Sequence, residues 1–204
     1  MERKPFNRYK LEEAYHLLGI EKLKEWEISC SPIQPTEIFQ QSLRRMEAFD
    51  IKHSEAGKEI LIDRILEEAL SRKEQLKIWK EAHLETELVR GRVEYLFAKR
   101  IDLLKRPFLC LAEAKKDDFE KGLAQCLVEM KACQILNQNA GYSIDIYGIV
   151  TNAVIWQFYK LSKESEVYQS LPYNFPTQTN ILFGILDTIL QACEESLSMS
   201  SIIL

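Results

Sequence analysis

The chain has 204 residues, 46% of them hydrophobic, enough for one domain with a sizeable core. Its net charge of −4 excludes a protein that coats nucleic acid by bulk electrostatics, which takes a basic surface. The longest apolar runs, at 144–158 and 180–190, are broken by polar residues and fall short of the roughly 20 a bilayer span needs; with no apolar stretch behind the Met-Glu-Arg-Lys-Pro start, a cytoplasmic location without membrane partners is expected.

Residues 11–26 carry Leu11, Ala14, Tyr15, Leu18, Ile20 and Leu23 at mostly helical spacing, with Gly19 as a break. A loop over 31–35 leads into a second helix from Thr36, with Ile38, Phe39, Leu43 and Met46 on one side, so residues 1–50 read as an N-terminal helical arm. Ser54 is the expected N-cap of a third helix over 55–70, whose stripe is Ile60, Leu61, Ile65, Leu66 and Ala69. The period then changes, and 76–88 and 93–97 predict two antiparallel strands. Residues 107–112 are almost unbroken apolar, as in a central strand covered on both faces, and the run closes on Glu113, Ala114 and Lys115. Asp117 or Asp118 caps the next helix, with a stripe from Phe119 through Cys126 and Met130 to Ile135 and Gln125 on its flank. Residues 142–151 predict a buried strand. Residues 155–161 predict another, with Trp156 and Phe158 on one face as core and Gln157 and Tyr159 on the other. A last helix over 180–197 buries Ile181, Leu182, Ile185, Ile189, Leu190 and Cys193.

Five cysteines, an odd number without metal-ligand spacing, predict buried free thiols in a reducing compartment. Three histidines with no His-x-x-x-His pair argue against zinc, which leaves oxygen-rich coordination. Glu94 places a carboxylate in an apolar strand. Glu113 and Lys115, two residues apart, share a strand face about 6.6 Å apart. Two carboxylates and a lysine are the components of metal-dependent phosphodiester cleavage: oxygen ligands for magnesium and a cation beside the attacked phosphate. The basic run Lys99, Arg100, Lys105, Arg106, Lys115, Lys116 and Lys121 either meets phosphates or is an ordinary solvated surface. From the residues alone, the alternatives are a solvent-facing Glu94, an exposed Glu113–Lys115 ion pair contributing under about 1 kcal/mol, a packing Gln125, and a Glu55 that only favours the helix dipole.

The order helix, three strands, helix, strand, with Glu94 in the second strand and Glu113-Ala114-Lys115 ending the third, resembles the core of the PD-(D/E)XK nuclease superfamily over residues 54–161. Ser54-Glu55-Ala56, Gly91-x-Val93-Glu94-Tyr95, Glu113-Ala114-Lys115-Lys116, Gly122-x-x-Gln125-Cys126 and Tyr147-Gly148-Ile149-Val150-Thr151, followed by Trp156-x-Phe158, look like a mostly bacterial family of that fold. The resemblance implies an α/β, restriction-endonuclease-like core, a mixed central sheet flanked by helices, within a domain over 51–204 that follows the arm. It implies that Glu94 and Glu113 hold magnesium or manganese and that Lys115 orients the attacking water and offsets phosphate charge. By the same resemblance Gln125 supports the site or substrate, and Glu55 assists through a water on the metal. The implied activity is a metal-dependent nuclease with DNA as partner. Members of the resembled family usually have Asp where this chain has Glu94, and the extra methylene moves the carboxylate by about 1.5 Å. The alternatives are an inactive nuclease-like module that binds nucleic acid or protein, and an interaction protein that forms a homodimer through its N-terminal helices.

Overall fold

The computed structural model describes residues 3–50, 54–114 and 118–200, leaving aside the side chains of Glu55, Met199 and Ser200. In chain order its elements are Lys4–Pro5 (β1), Leu11–Leu18 (α1), Lys24–Glu25 (β2), Glu37–Met46 (α2), Glu55–Leu70 (α3), Leu76–Glu85 (β3), Val89–Lys99 (β4), Phe108–Ala114 (β5), Phe119–Gln138 (α4), Ile146–Thr151 (β6), Ile155–Leu161 (β7), Val167–Gln169 (β8), Tyr173–Asn174 (β9) and Thr179–Ser200 (α5).

The strands form one mixed sheet in the order β1-β4-β5-β6-β7-β8-β2, with β3 also on β4 and β9 also on β7. β5 and β6 are parallel, and α4 makes the crossover that parallel neighbours require; β3 to β4, β4 to β5 and β6 to β7 are antiparallel. Helices cover both faces, which is why the central strand has no polar alternation: every residue from Phe108 to Glu113 is buried. On one face Phe39, Ile65, Tyr95, Phe97, Trp156 and Leu186 share a core under α2, α3 and α5. On the other, Leu18, Leu96, Leu111, Cys126, Met130 and Tyr159 pack under α1 and α4.

The predicted helix starts hold. Ser54 accepts from the Gly57 N–H at 2.9 Å, Thr36 from the Phe39 N–H at 3.2 Å and Asp118 from the Lys121 N–H at 2.9 Å. Among the described residues several expectations change, and Ile38 and Ile181, expected on apolar helix faces, are exposed. The N-terminal fifty residues are more than a helical arm: α1 ends at Leu18 because Gly19 turns left-handed (φ +69°), and the chain then enters the sheet as β2, as it already had as β1. The strand expected over 142–151 begins only at Ile146, since Tyr142 still closes the end of α4 through its N–H to the Asn137 carbonyl at 2.9 Å. β8 and β9 were not anticipated, and strands of two or three residues carry no readable period.

Lys73, just after α3, fastens that helix to α5. It is only 5% exposed and pairs with Asp187 at 3.0 Å and Gln191 Oε1 at 3.1 Å, while Arg100 donates to its carbonyl. Removing one partner of a buried ion pair costs more than the pair contributes, because the other charge is left desolvated. Lys73→Ala is expected to destabilise the protein by about 2–3 kcal/mol, below the full buried-pair range because Asp187 is partly exposed. Urea unfolding measures this, and a loss under about 0.5 kcal/mol would show that the pair does not fasten the helices.

The thiols follow expectation. All five cysteines are free, and Cys110, Cys126, Cys133 and Cys193 are buried. Burial pushes these four thiols well above their ordinary range, and the smaller rise at the partly exposed Cys30 has the same cause. Ellman's reagent at pH 8 should therefore modify at most Cys30 in the native protein and all five thiols after denaturation; two or more fast thiols in the native state would contradict the packing.

Candidate active site

β4 and β5 bring the two carboxylates together. Tyr95 pairs with Ala112 and Leu96 with Leu111, so the same register sets Glu94 beside Glu113 one step past the last backbone pair. Glu94 Oε2 accepts from the Ala114 N–H at 2.8 Å, which ties the Glu94 side chain to β5. Glu113 is fully buried, whereas Glu94 is partly exposed. A polar group that closes an apolar strand would be expected at an opening, but for Glu113 the structure gives a closed setting. Lys115 lies outside the described residues.

The α4 side of the pair is more polar than the sequence suggested. Gln125, expected on the flank of the helix, is 6% exposed, because α1 and the sheet enclose α4 from both sides. Its Nε2 donates to Glu129 Oε1 at 2.9 Å, and Glu129 is fully buried. The Cys126 thiol between them is raised first by burial, then by the Glu129 and Glu113 carboxylates, so both acids act on the same sulfur. Gly148 on β6 lets this layer close, since a Cβ there would come within 2.6 Å of Cys126 Sγ and Met130 Sδ. Glu129 was missed in the sequence, although its spacing of one helical turn from Gln125 was a usable signal.

α3 approaches from the opposite face. Asp63 pairs with Lys80 of β3 at 2.9 Å, and the Lys80 ammonium lies 4.7 Å from the centre of the Tyr95 ring. The Tyr95 hydroxyl is pushed far up by burial, then by the Asp63, Glu59 and Glu94 carboxylates. Glu55 is the first residue of α3, two turns before Asp63, and its side chain lies outside the description.

Two members of the basic run are engaged by backbone carbonyls. Arg100 donates to the Leu76 and Lys73 carbonyls and Arg106 to the Leu136 carbonyl, so both guanidiniums hold loops, and Lys116 is outside the described residues. A cleft of about 580 Å³ lined by His83, Lys105, Arg106 and Tyr142 over Leu84 and Phe108 takes in the other end of β5 from Glu113.

No three or more His, Cys, Asp or Glu side chains group into a metal cage among the described residues. Among the described residues Glu94 and Glu113 offer two carboxylates. That set suits magnesium, which takes one or two carboxylates and keeps its waters, and does not suit a closed zinc site. No helix among the described residues is long and apolar enough to cross a membrane. No family model, curated protein or solved structure matches the chain.

Proposed function

We propose that the chain is a magnesium- or manganese-dependent nuclease that hydrolyses phosphodiester bonds in DNA on a restriction-endonuclease-like core. The observation that carries this reading is the register that sets Glu94, midway along β4, opposite Glu113 near the end of β5, with the Ala114 N–H fixing the Glu94 carboxylate against the other strand. Glu94 and Glu113 would hold the ion, which when bound polarises a phosphate oxygen and lowers the pKa of an attacking water. Lys115, the next residue but one after Glu113, supplies the cation that orients the nucleophile and offsets charge developing on phosphate. In this reading Glu55, the first residue of α3, would assist through a water on the metal, and Gln125 of α4 would support the site or substrate.

The test is incubation of the purified protein with plasmid and single-stranded DNA in magnesium or manganese, with chelator as control, beside Glu113→Ala and Lys115→Ala. Metal-dependent cleavage lost in both variants supports the reading, and activity that survives either one removes this site from consideration. The second reading, an inactive module of the same fold that binds nucleic acid or protein, is favoured by the complete burial of Glu113. Absent cleavage together with absent manganese binding in a calorimetric titration would establish that reading.

A further inference from the structure

The interior of α4 holds a polar pair that an apolar helix packed between a sheet and α1 does not need. Glu129 is fully buried, and Gln125 nearly so. Acidic residues are almost never fully buried unless paired. A carboxylate can only accept hydrogen bonds, so the 2.9 Å contact with Glu129 fixes the end of the Gln125 amide that faces it: Nε2 points to Glu129, and Oε1 is left as the free end. That oxygen is buried without a hydrogen-bond partner among the described residues. An amide oxygen kept from both water and donors costs roughly 1–3 kcal/mol, and a flip of the amide would cost more by turning oxygen onto carboxylate. The pair also lies over the strand that bears Glu113, since Cys126, next to Gln125, packs against Gly148 of β6, and Gly148 pairs with Leu111, two residues before Glu113 on β5.

We infer that Glu129 is a positioning residue whose carboxylate holds the Gln125 amide so that Oε1 stays available as a hydrogen-bond acceptor for a water or hydroxyl that enters beside Glu113. The inference rests on the nuclease reading and adds a residue to it. Glu129 itself touches neither phosphate nor nucleophile, and Gln125 does the accepting. The orientation comes from charge: in Glu129→Gln either end of the Gln125 amide finds a partner, and the acceptor is no longer enforced.

The experiment compares wild type, Glu129→Gln, and the double variant Gln125→Glu with Glu129→Gln, by steady-state cleavage of a fluorescent DNA substrate in magnesium and by thermal unfolding. Glu129→Gln is expected to lower kcat about tenfold with KM unchanged, because the lost interaction acts on the reacting group and not on substrate binding. The double variant restores the contact in reverse. The amide introduced at position 129 donates to the carboxylate introduced at position 125, whose second oxygen is again an acceptor, so kcat should return to within about threefold of wild type. An active wild type with unchanged kcat in Glu129→Gln, a loss that the double variant does not recover, or a loss that tracks a fall in folded protein would each overturn the positioning role alone. A wild type without metal-dependent cleavage overturns the nuclease reading first, and the role of Glu129 falls with it.

Discussion

Replacing Glu113 with glutamine is expected to lower magnesium-dependent DNA cleavage by about a thousandfold, equivalent to about 4 kcal/mol of transition-state stabilisation. The substitution keeps the length, volume and planarity of the side chain at a fully buried position, so the packing of β5 beneath α4 is preserved and what changes is charge. A neutral amide oxygen is a poor replacement for a carboxylate against a small, hard dication. Glu94→Gln should cost less, because one Glu94 oxygen is already engaged by the Ala114 N–H and an amide oxygen can still accept that bond. Plasmid nicking over a range of enzyme concentrations measures the ratio, and manganese titration by calorimetry separates lost metal affinity from lost chemistry. A Glu113→Gln protein that retains more than about a tenth of wild-type activity would show that the pair does not hold the catalytic ion.

The Glu94 carboxylate reaches across to the neighbouring strand, where it accepts the Ala114 N–H at 2.8 Å and so fixes one side chain of the candidate pair.

How far the sequence could be read depended on the range of the signal. The helix over 55–70 was legible to the residue because the Ser54 cap and the apolar stripe are both local. So was the strand over 155–161, where Trp156 and Phe158 lie on one face and Tyr159 on the other. β1, β2, β8 and β9 were invisible, since each is held by partners far along the chain and none is long enough to show alternation. The hairpin also carries a bend that no pattern announced: Glu81 adopts φ +54°, Tyr95 and Phe97 pack into one core, and Val93 packs into the other. In the candidate site, Glu94 and Glu113 were found as residues and their adjacency required only the register of two consecutive strands. The burial of Gln125 and Glu129 was not legible, because it depends on α1 returning to cover the outer side of α4. A polar residue on a helix flank looks solvated until a second layer closes over it.

Trp156→Ala is expected to be the most destabilising single substitution of the set, at about 4 kcal/mol, which for a chain of this size lowers the unfolding midpoint by about 8–16 °C. The ring is fully buried in the core under α2, α3 and α5, and its Nε1 donates to the Ala153 carbonyl at 3.0 Å. That bond supports the turn between β6 and β7, where Ala153 sits at φ +74° and its N–H is held by Thr151 Oγ1 at 2.9 Å. Two losses therefore combine: the cavity left by an indole and a carbonyl deprived of its donor. Trp156→Phe keeps most of the volume and removes only the donor, so it should cost about 1–2 kcal/mol, and the difference between the two variants measures the packing share. Neither substitution changes a group placed at the carboxylate pair. Well below their unfolding midpoints both variants should cleave DNA at the wild-type rate per folded molecule, in contrast to Glu113→Gln, which should stay folded and cleave about a thousandfold more slowly. A Trp156→Ala protein that remains folded yet loses metal-dependent cleavage would tie the turn after β6 to the reaction and break this separation between the core and the site.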